Sequence, residues 1–248
     1  MNPATTPLIE CKQLEKWYSG VYALKKVDFV LYPNEVVGLV GDNGAGKSTL
    51  IQILSGAHLP DGGEVLVEGQ TVRIHSPKVA MRLGIETIYQ YTAMVHTMSI
   101  ARNIFIGREP MRWQVGGVGM LNQSKMRQEA VTAIRDVDLE LRSPDALVGE
   151  LSGGQRQGVA IARAMHFKSK VLILDEPTNH LSVKETNKVL RFVSELKQQQ
   201  VSGIFISHNI HHVFEVCDRI VVMARGEKIA ELVKDDTDID TIHRLLDA

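Results

Sequence analysis

The sequence is poor in cysteine and in aromatic residues, and it contains no long hydrophobic run. Only 2 of its 248 residues are cysteines, and aromatic residues make up 5%. Cys11 and Cys217 lie far apart and belong to no metal-binding or redox motif, so we interpret them as buried thiols in a reducing compartment. No apolar stretch approaches the roughly 20 residues of a membrane-spanning helix. We therefore expect a soluble, cytoplasmic protein.

The charge of the chain is nearly balanced, with 28 basic and 29 acidic residues and a net charge of −1. This balance gives no electrostatic reason to expect nucleic acid or an anionic membrane surface as a partner. The first ten residues, MNPATTPLIE, lack the basic and then apolar pattern of a signal peptide. Any work at a membrane is therefore expected to go through a partner protein.

One glycine-rich segment matches the phosphate-binding pattern G-x-x-x-x-G-K-[ST] at every fixed position, from Gly41 to Ser48. An apolar run that ends at Val40 precedes it, and a helical stretch from Thr49 to Leu54 follows, so the predicted context is strand, loop and helix. Glycines allow backbone N–H groups to converge on phosphate oxygens. The alternative, a glycine-rich turn that binds nothing, does not account for this context.

The chemistry of this segment predicts a nucleoside triphosphate site. The start of the helix offers unpaired N–H groups and partial positive charge to an anion. Lys47 is expected to reach the terminal phosphates, and the Ser48 hydroxyl is a natural ligand for Mg²⁺. The predicted nucleotide-binding residues are Gly41, Asp42, Asn43, Gly44, Ala45, Gly46, Lys47, Ser48 and Thr49.

Two acids, Asp175 and Glu176, end an aliphatic run that begins at Val171. A buried strand that delivers carboxylates at its carboxyl end is a common way for α/β sheets to place ligand chemistry. Asp175 is expected to hold Mg²⁺, directly or through water. Glu176 is the better candidate to orient or deprotonate the attacking water. A pair of acids in a solvated turn is the alternative.

The segment Leu151-Ser-Gly-Gly-Gln155 predicts the start of a helix. Ser152 with Gln155 three residues later forms a capping-box pattern. Gly153 and Gly154 weaken a helix by roughly 1 kcal/mol each relative to alanine, which argues for a further role. Their exposed N–H groups at a positive helix end suit an anion, and both interpretations can hold together.

The remaining pattern predicts an α/β core that is interrupted by a mainly helical insert. Asp61-Gly-Gly-Glu64 is typical of a hairpin turn, and a glycine-rich loop containing Trp113 is expected after Pro110. The predicted strands are Val27–Leu31, Val36–Val40, Val65–Val67, Ile85–Tyr89, Val171–Leu174, Ile204–Ile206 and Arg219–Met223. The predicted helices are one that begins at Ser76-Pro77 and stops near Gly84, followed by Ile100–Ile106, Gln123–Val137, Gly153–Phe167 and Val183–Gln199.

A phosphate loop, then LSGGQ, then a strand that ends in Asp-Glu-Pro resembles the ATP-binding cassette family. The resemblance extends from about Leu8 to Leu232. It implies a phosphate-loop NTPase core with an antiparallel β subdomain, at about 8–90 and 168–233, and a helical subdomain at about 91–167. A short tail, 234–248, would follow. The implied activity is ATP hydrolysis with Mg²⁺.

The resemblance assigns three further residues by position. Tyr18 matches an aromatic that stacks on adenine, Gln90 a glutamine that senses Mg²⁺, and His208 a histidine that contacts the γ-phosphate. Tyr18 has simple core packing as its alternative. For His208 the alternative is a metal site, because His211 and His212 are its neighbours. However, neither a nearby cysteine nor another set of metal ligands is evident.

One position departs from the family pattern. The loop after Asp-Glu-Pro-Thr usually ends in Asp, whereas here Ser182 stands in that place and is a candidate N-cap for the following helix.

The family pairs two cassettes head to tail, so the resemblance implies an ATP-sandwiched homodimer. Ser152, Gly153, Gly154 and Gln155 of one copy would then contact the nucleotide of the other.

Three stretches resemble the ATPase subunits of bacterial monosaccharide importers, namely His75–Gln90, Ser99–Glu109 and Phe205–Ile210. This resemblance implies a multi-span permease partner, an external sugar-binding protein and a place on the cytoplasmic face of the membrane. The apolar stretch with Tyr91, Ala93, Met94, Val95 and Met98 would receive a permease helix, with core packing as the alternative. A cassette ATPase acting on ribosomes or DNA and an exporter subunit remain alternatives.

Overall fold

The computed structural model describes residues 6–89, 94–115, 118–137, 139 and 143–247. The chain divides into two compact units. The first comprises the described residues of Met1–Gln90, Ser169–Asn179 and Val183–Ala248, and the second those of Tyr91–Lys168 and His180–Ser182. None of the helices in this described part of the chain combines the length and the apolar composition that a membrane span requires.

The described strands are three to eleven residues long. They are β1 Ile9–Tyr18, β2 Val21–Leu31, β3 Val36–Val40, β4 Gly62–Val67, β5 Gln70–Val72, β6 Ile85–Ile88, β7 Met111–Val115, β8 Val118–Leu121, β9 Val171–Asp175, β10 Ser202–Ile206, β11 Arg219–Ala224 and β12 Glu227–Val233.

The described helices contain between six and fourteen residues each. They are α1 Lys47–Leu54, α2 Pro77–Arg82, α3 Ile100–Phe105, α4 Gln123–Asp136, α5 Gly153–His166, α6 Val183–Glu195, α7 Ile210–Val216 and α8 Ile239–Leu246, with 3₁₀ turns at Val148–Glu150, Leu196–Gln199 and Lys234–Asp236.

The first unit contains two sheets. An antiparallel sheet has the order β2-β1-β4-β5, and a six-stranded sheet has the order β12-β11-β3-β10-β9-β6. In the second sheet β11, β3, β10, β9 and β6 run parallel, and only β12 is antiparallel. All five residues of β3 and all five of β10 are buried, because helical connections cover a parallel sheet.

Arg219, at the start of β11, is 2% exposed and fully paired inside the first unit. Its guanidinium donates to Glu35 Oε1 at 2.6 Å and to the Val30 carbonyl at 2.7 Å, and it also donates to Glu231. A buried charge is tolerated when it is paired in this way. The cluster ties the end of β2 and the start of β3 to β11 and β12.

The second unit has its own core, formed by α3, α4 and α5. Buried residues from all three helices pack together, among them Ile104, Phe105, Ala130 and Val159. Asn103 is 1% exposed in this unit, and its side-chain amide donates to the carbonyls of Val95 and Ser99, both at 3.0 Å. Its Oδ1 accepts from the Val95 N–H at 2.8 Å, so Asn103 fixes the chain that leads into α3.

Two local predictions are wrong, and the first concerns Gly62 and Gly63. Both belong to β4 rather than to a hairpin turn, and Gly62 pairs with Glu15 beside a register shift in β1. Gly63 has φ 79°, and a Cβ there would lie 2.3 Å from the Gln13 carbonyl oxygen. A glycine is therefore needed at position 63 because the backbone of β1 lies close to it, where the pairing of β1 with β4 is bulged. The turn itself lies at Glu68 and Gly69.

The second wrong prediction is the loop around Trp113, which is instead a β-hairpin. Trp113 pairs with Met120 and Val115 pairs with Val118. Its glycines at 116 and 117 lie outside the described residues. The glycines at 116 and 117 separate two short runs by exactly two residues, which is typical of a hairpin, so the loop prediction overlooked a local signal.

Candidate functional site

Three neighbouring parallel strands end at the candidate site. In the sheet, β10 lies between β3 and β9. The glycine-rich loop follows β3, Asp175 and Glu176 stand at the end of β9, and His208 follows β10. Because parallel strands present their carboxyl ends at one edge, the fold gathers residues that are far apart in sequence.

The loop from Gly41 to Gly46 adopts a conformation that depends on its glycines. Gly41, Gly44 and Gly46 have φ of 149°, 84° and 103°. A Cβ on Gly41 would lie 2.2 Å from the Met223 carbonyl oxygen, whereas a Cβ on Gly44 would meet no atom within 4 Å. The helix α1 begins at Lys47, so its first N–H groups lie at the end of this loop.

Replacing Gly41 by alanine is expected to destabilise the protein more than replacing Gly44. Both substitutions impose positive-φ strain of about 1–3 kcal/mol, but only Gly41→Ala also forces a Cβ against a backbone carbonyl. Chemical denaturation of both variants would measure the difference. Equal unfolding free energies for the two variants would contradict this description of the loop.

Lys47 is half-buried and folds back over the loop. Its Nζ donates to the carbonyl oxygen of Gly41 at 2.5 Å and to that of Asp42 at 3.0 Å. Burial lowers the pKa of Lys47, and the nearby carboxylates Glu176, Asp42 and Asp175 oppose that shift. An anion at this loop would complement a partly desolvated ammonium group.

Asp175 and Glu176 form a close acidic pair at the end of β9. Burial raises the pKa of Asp175, the adjacent Glu176 raises it further, and Lys47 opposes the shift. A cation bound to the pair would relieve both the desolvation and the repulsion.

Glu176 is held in an uncommon backbone conformation. Its φ is 50°, and its N–H donates to the Ile206 carbonyl at 3.0 Å. Oε1 lies 3.0 Å from His208 Nδ1, while Oε2 is buried without a hydrogen-bond partner. Side-chain exposure is 13% for Glu176 and 68% for His208. A buried carboxylate oxygen of this kind is suited to accept a proton or a hydrogen bond from a bound molecule.

A second connection between the same two loops is not predictable from the sequence motifs. The Thr178 hydroxyl lies 3.3 Å from His212 Nδ1, and His212 Nε2 lies 3.3 Å from Asn209 Nδ2. The sequence suggests His212 only as a metal ligand with His208 and His211. Across the described residues, no group of three or more His, Cys, Asp or Glu side chains could hold a metal ion.

Tyr18 lies at the end of β1 and contacts the helix that follows the phosphate loop. Its hydroxyl donates to Gln52 Oε1 at 3.3 Å, and its ring packs edge-on against His58 with centroids 5.6 Å apart. The adjacent Trp17 stacks on Tyr22 at 3.8 Å and is 48% exposed. Adenine stacking by Tyr18 stays a prediction.

In the second unit, the start of α5 carries the predicted capping box. The Gln155 N–H donates to Ser152 Oγ at 3.2 Å, and the Ser152 N–H donates to Gln155 Oε1 at 3.0 Å. Both hydrogen bonds of that prediction are therefore present, and α5 begins at Gly153. Ser152 and Gly153 are exposed. A capped, exposed helix start of this kind is compatible with anion binding.

Several predicted residues lie elsewhere or outside the described part of the chain. Gln90, Tyr91 and Ala93 lie outside the described residues. Met94 is partly buried against the core of the second unit, which is the packing alternative for that residue. Ser48 is exposed in the first turn of α1, and α6 begins at Val183, directly after Ser182.

Comparison with known proteins identifies relatives along nearly the whole chain. The family described as ABC transporter matches residues 24–179. The fructose import ATP-binding protein FrcA of Rhizobium meliloti is 42% identical over 243 residues, which cover 96% of this chain and 94% of that protein. The xylose/arabinose import ATP-binding protein XylG of Sulfolobus acidocaldarius is 42% identical over 96% of this chain and 93% of that protein.

A third relative is longer than this chain. The ribose import ATP-binding protein RbsA 1 of Rubrobacter xylanophilus is 42% identical over 92% of this chain, but that match covers only 45% of that protein. The chain thus spans nearly all of the first two relatives and about half of this one.

Solved structures give the same fold. A nucleotide-free ATP-binding cassette from an ABC transporter superposes with a TM-score of 0.81 at 24% identity, over 98% of this chain and 96% of that one. The ADP conformation of an ATP-binding cassette of an ABC transporter gives a TM-score of 0.80 at 25% identity, over 98% of this chain and 96% of that one. By its sequence match and its relatives, this chain belongs to the ABC transporter family.

Proposed function

We propose that this chain is the ATP-binding and ATP-hydrolysing subunit that powers import of a monosaccharide through a partner membrane permease. The observation that carries the proposal is the convergence of the phosphate loop, Lys47 and two acids at adjacent strand ends, with one buried oxygen of Glu176 left without a hydrogen-bond partner. That set of groups supplies the parts that phosphoryl transfer to water requires.

The nucleotide is held mainly through its phosphates. Backbone N–H groups from Gly41 to Thr49 surround the phosphate oxygens, and Lys47 stabilises the terminal phosphates. Tyr18 stacks on the adenine, at the end of β1 and beside α1. The hydrogen bonds that Lys47 donates to Gly41 and Asp42 hold the loop in shape before the nucleotide binds. Such preorganisation limits the cost of binding.

The donor set at the strand ends suits Mg²⁺. Ser48 and Asp175 offer hydroxyl and carboxylate oxygens, which are the ligands that this hard cation prefers. We assign Gln90, which lies outside the described residues, as a further ligand from the family resemblance alone. The raised pKa of Asp175, caused by burial and by Glu176, is consistent with a local need for positive charge. When bound, Mg²⁺ would neutralise charge on the transferring phosphoryl group.

Glu176 and His208 act on the attacking water and the γ-phosphate. Oε2 of Glu176 is the group that orients the water and accepts its proton. His208 contacts Glu176 Oε1 through Nδ1 at 3.0 Å, so it is positioned beside the reacting carboxylate. His208 then contributes to stabilising the phosphoryl group as charge develops.

Two copies of the chain are needed for a complete site. The exposed start of α5 in one copy binds the nucleotide of the other through Ser152, Gly153, Gly154 and Gln155.

We propose that the chain forms one ATPase domain. It consists of a core at 8–90 and 168–233, a helical subdomain at 91–167 and a tail at 234–248. Ser182 provides a hydroxyl where the family usually has a carboxylate.

Sugar import is supported by the names of the relatives, which are import ATP-binding proteins for fructose, xylose/arabinose and ribose. A permease bound at Met94–Met98, an external sugar-binding protein and a position on the cytoplasmic face of the membrane complete the proposal.

The test is co-purification of the tagged chain from membranes of the cells that produce it, followed by mass spectrometry. We expect a multi-span permease and a sugar-binding protein among the recovered partners. Recovery of ribosomes or an export system, without such a permease, would overturn the import role while leaving the ATPase activity to be measured separately.

A further inference from the structure

We propose that His212 is a positioning residue for ATP hydrolysis, which links the loop that carries Glu176 to the loop that carries His208. The inference rests on the proposed function, because it concerns the geometry of that hydrolytic site. His212 lies in the first turn of α7 and outside the phosphate loop, the LSGGQ segment and the Asp-Glu-Pro strand end.

The link consists of two hydrogen bonds that run beside the direct contact of Glu176 with His208. On one side, Thr178 follows Glu176 by two positions, is 8% exposed, and places its hydroxyl 3.3 Å from His212 Nδ1. On the other side, Asn209 follows His208 directly and places Nδ2 3.3 Å from His212 Nε2. One imidazole therefore spans the two loops.

The surroundings fix where the proton of His212 lies. Asn209 Oδ1 accepts from the N–H groups of His211 at 3.1 Å and of His212 at 3.4 Å, as the cap of α7. The Asn209 amide nitrogen must then face His212 as a donor, so Nε2 is the acceptor. A neutral ring consequently carries its proton on Nδ1 and donates it to Thr178 Oγ1.

The electrostatics agree with a neutral ring. Burial lowers the pKa of His212, with further lowering by His211 and His208 and an opposing effect of Glu215. A protonated ring would direct an N–H towards the amide N–H of Asn209 and weaken the cap of α7.

This link matters because the spacing of the two loops sets the reacting geometry. Glu176 has φ 50°, a conformation that persists only when its surroundings hold it. The hydrogen bond from the Glu176 N–H to the Ile206 carbonyl fixes the start of the loop that carries Glu176. The hydrogen bond between His212 and Thr178 fixes the same loop two residues later. Small displacements of a catalytic group can cost large factors in rate.

The first experiment is a double-mutant cycle on ATP hydrolysis with Thr178→Val and His212→Phe, which keep shape but remove the hydrogen bonds. Each single variant is expected to lower kcat by about tenfold, with the KM for ATP changed by less than about twofold, because positioning rather than binding is lost. The double variant should be no slower than either single variant, because one link is broken in all three.

Two matched variants serve as comparisons. Thr178→Ser retains the hydroxyl and should recover most of the rate that Thr178→Val loses. His211→Phe changes an exposed neighbour on the same helix and should leave kcat unchanged. Thermal unfolding of every variant separates a loss of rate from a loss of folded protein. The inference would be overturned by equal kcat for Thr178→Val and Thr178→Ser, or by a double variant in which the two losses of kcat add. A change confined to KM would overturn it as well.

The second experiment does not depend on activity. Two-bond ¹H–¹⁵N correlation spectra of the protein labelled at histidine should show one ring in the Nδ1–H tautomer, and His212→Phe should remove that signal. An Nε2–H tautomer for His212 would overturn the link. If the wild-type chain fails to hydrolyse ATP, the proposed function falls and the positioning role falls with it. If it hydrolyses ATP and the Thr178 variants are alike, only this inference fails.

Discussion

Replacing Glu176 by glutamine is expected to lower the rate of ATP hydrolysis by about 10²–10⁴-fold, because an amide cannot accept a proton from the attacking water. The side chain is 13% exposed, and its Oε1 meets His208 at 3.0 Å, so an amide of the same size preserves the local packing. ATP binding should therefore remain intact. Phosphate release and equilibrium binding of a labelled ATP measure the two effects separately.

The matched control is Glu195→Gln, the same change at an exposed position at the end of α6. It should hydrolyse ATP at the wild-type rate. Wild-type turnover by Glu176→Gln would remove Glu176 from the role proposed for it, whereas loss of ATP binding would indicate that its carboxylate mainly serves the nucleotide.

Replacing Lys47 by methionine is expected to weaken ATP binding by about tenfold to a hundredfold, since a hydrogen bond to a charged group contributes roughly 1.5–3 kcal/mol. Hydrolysis should fall further, because charge on the terminal phosphates is no longer stabilised in the transition state. The substitution also removes the hydrogen bonds from Nζ to the carbonyls of Gly41 and Asp42. Isothermal titration with ATP gives the affinity directly.

Lys188→Met, at an exposed position in α6, controls for the loss of one positive charge. Thermal unfolding without nucleotide shows whether Lys47→Met is still folded. A folded Lys47→Met variant that binds ATP with wild-type affinity would contradict the assignment of the glycine-rich loop as the phosphate site.

The parts of the site that are local in sequence could be predicted from sequence. The strand, loop and helix around Gly41–Ser48 are predictable because the glycine spacing and the apolar run before it specify both conformation and context. The capping box at Ser152 and Gln155 is predictable for the same reason, since its two hydrogen bonds join residues three apart. Short-range chemistry determines these features.

The connections between distant segments could not be predicted without the fold. Glu176 and His208 come together because β9 and β10 are neighbours in a parallel sheet. His212 reaches Thr178 only because α7 follows β10 directly. A histidine pattern in sequence suggests a metal site as readily as a hydrogen-bond bridge. In the structure, the Thr178 hydroxyl and the Asn209 amide lie beside the ring of His212, which indicates the hydrogen-bond bridge.

The two wrong predictions about turns and loops both concern the interpretation of glycine. Glycine marks positions where a side chain does not fit, but sequence does not say whether a turn or a neighbouring strand excludes it. At Gly63 the Gln13 carbonyl excludes a side chain in a bulged strand pair, not in a turn. Around Trp113, where β7 and β8 form a hairpin, the Gly-Gly pair at 116 and 117 is itself a hairpin signal, and the prediction interpreted it as a loop.

The most direct test of the central claim is sugar uptake by cells that lack this chain and carry either the wild-type form or Glu176→Gln. A panel of labelled monosaccharides would be tested, with each form tagged to verify equal abundance at the membrane. We predict that the wild-type chain restores uptake of at least one sugar, whereas Glu176→Gln does not. Unchanged uptake of every monosaccharide without the chain, or equal restoration by both forms, would contradict the claim.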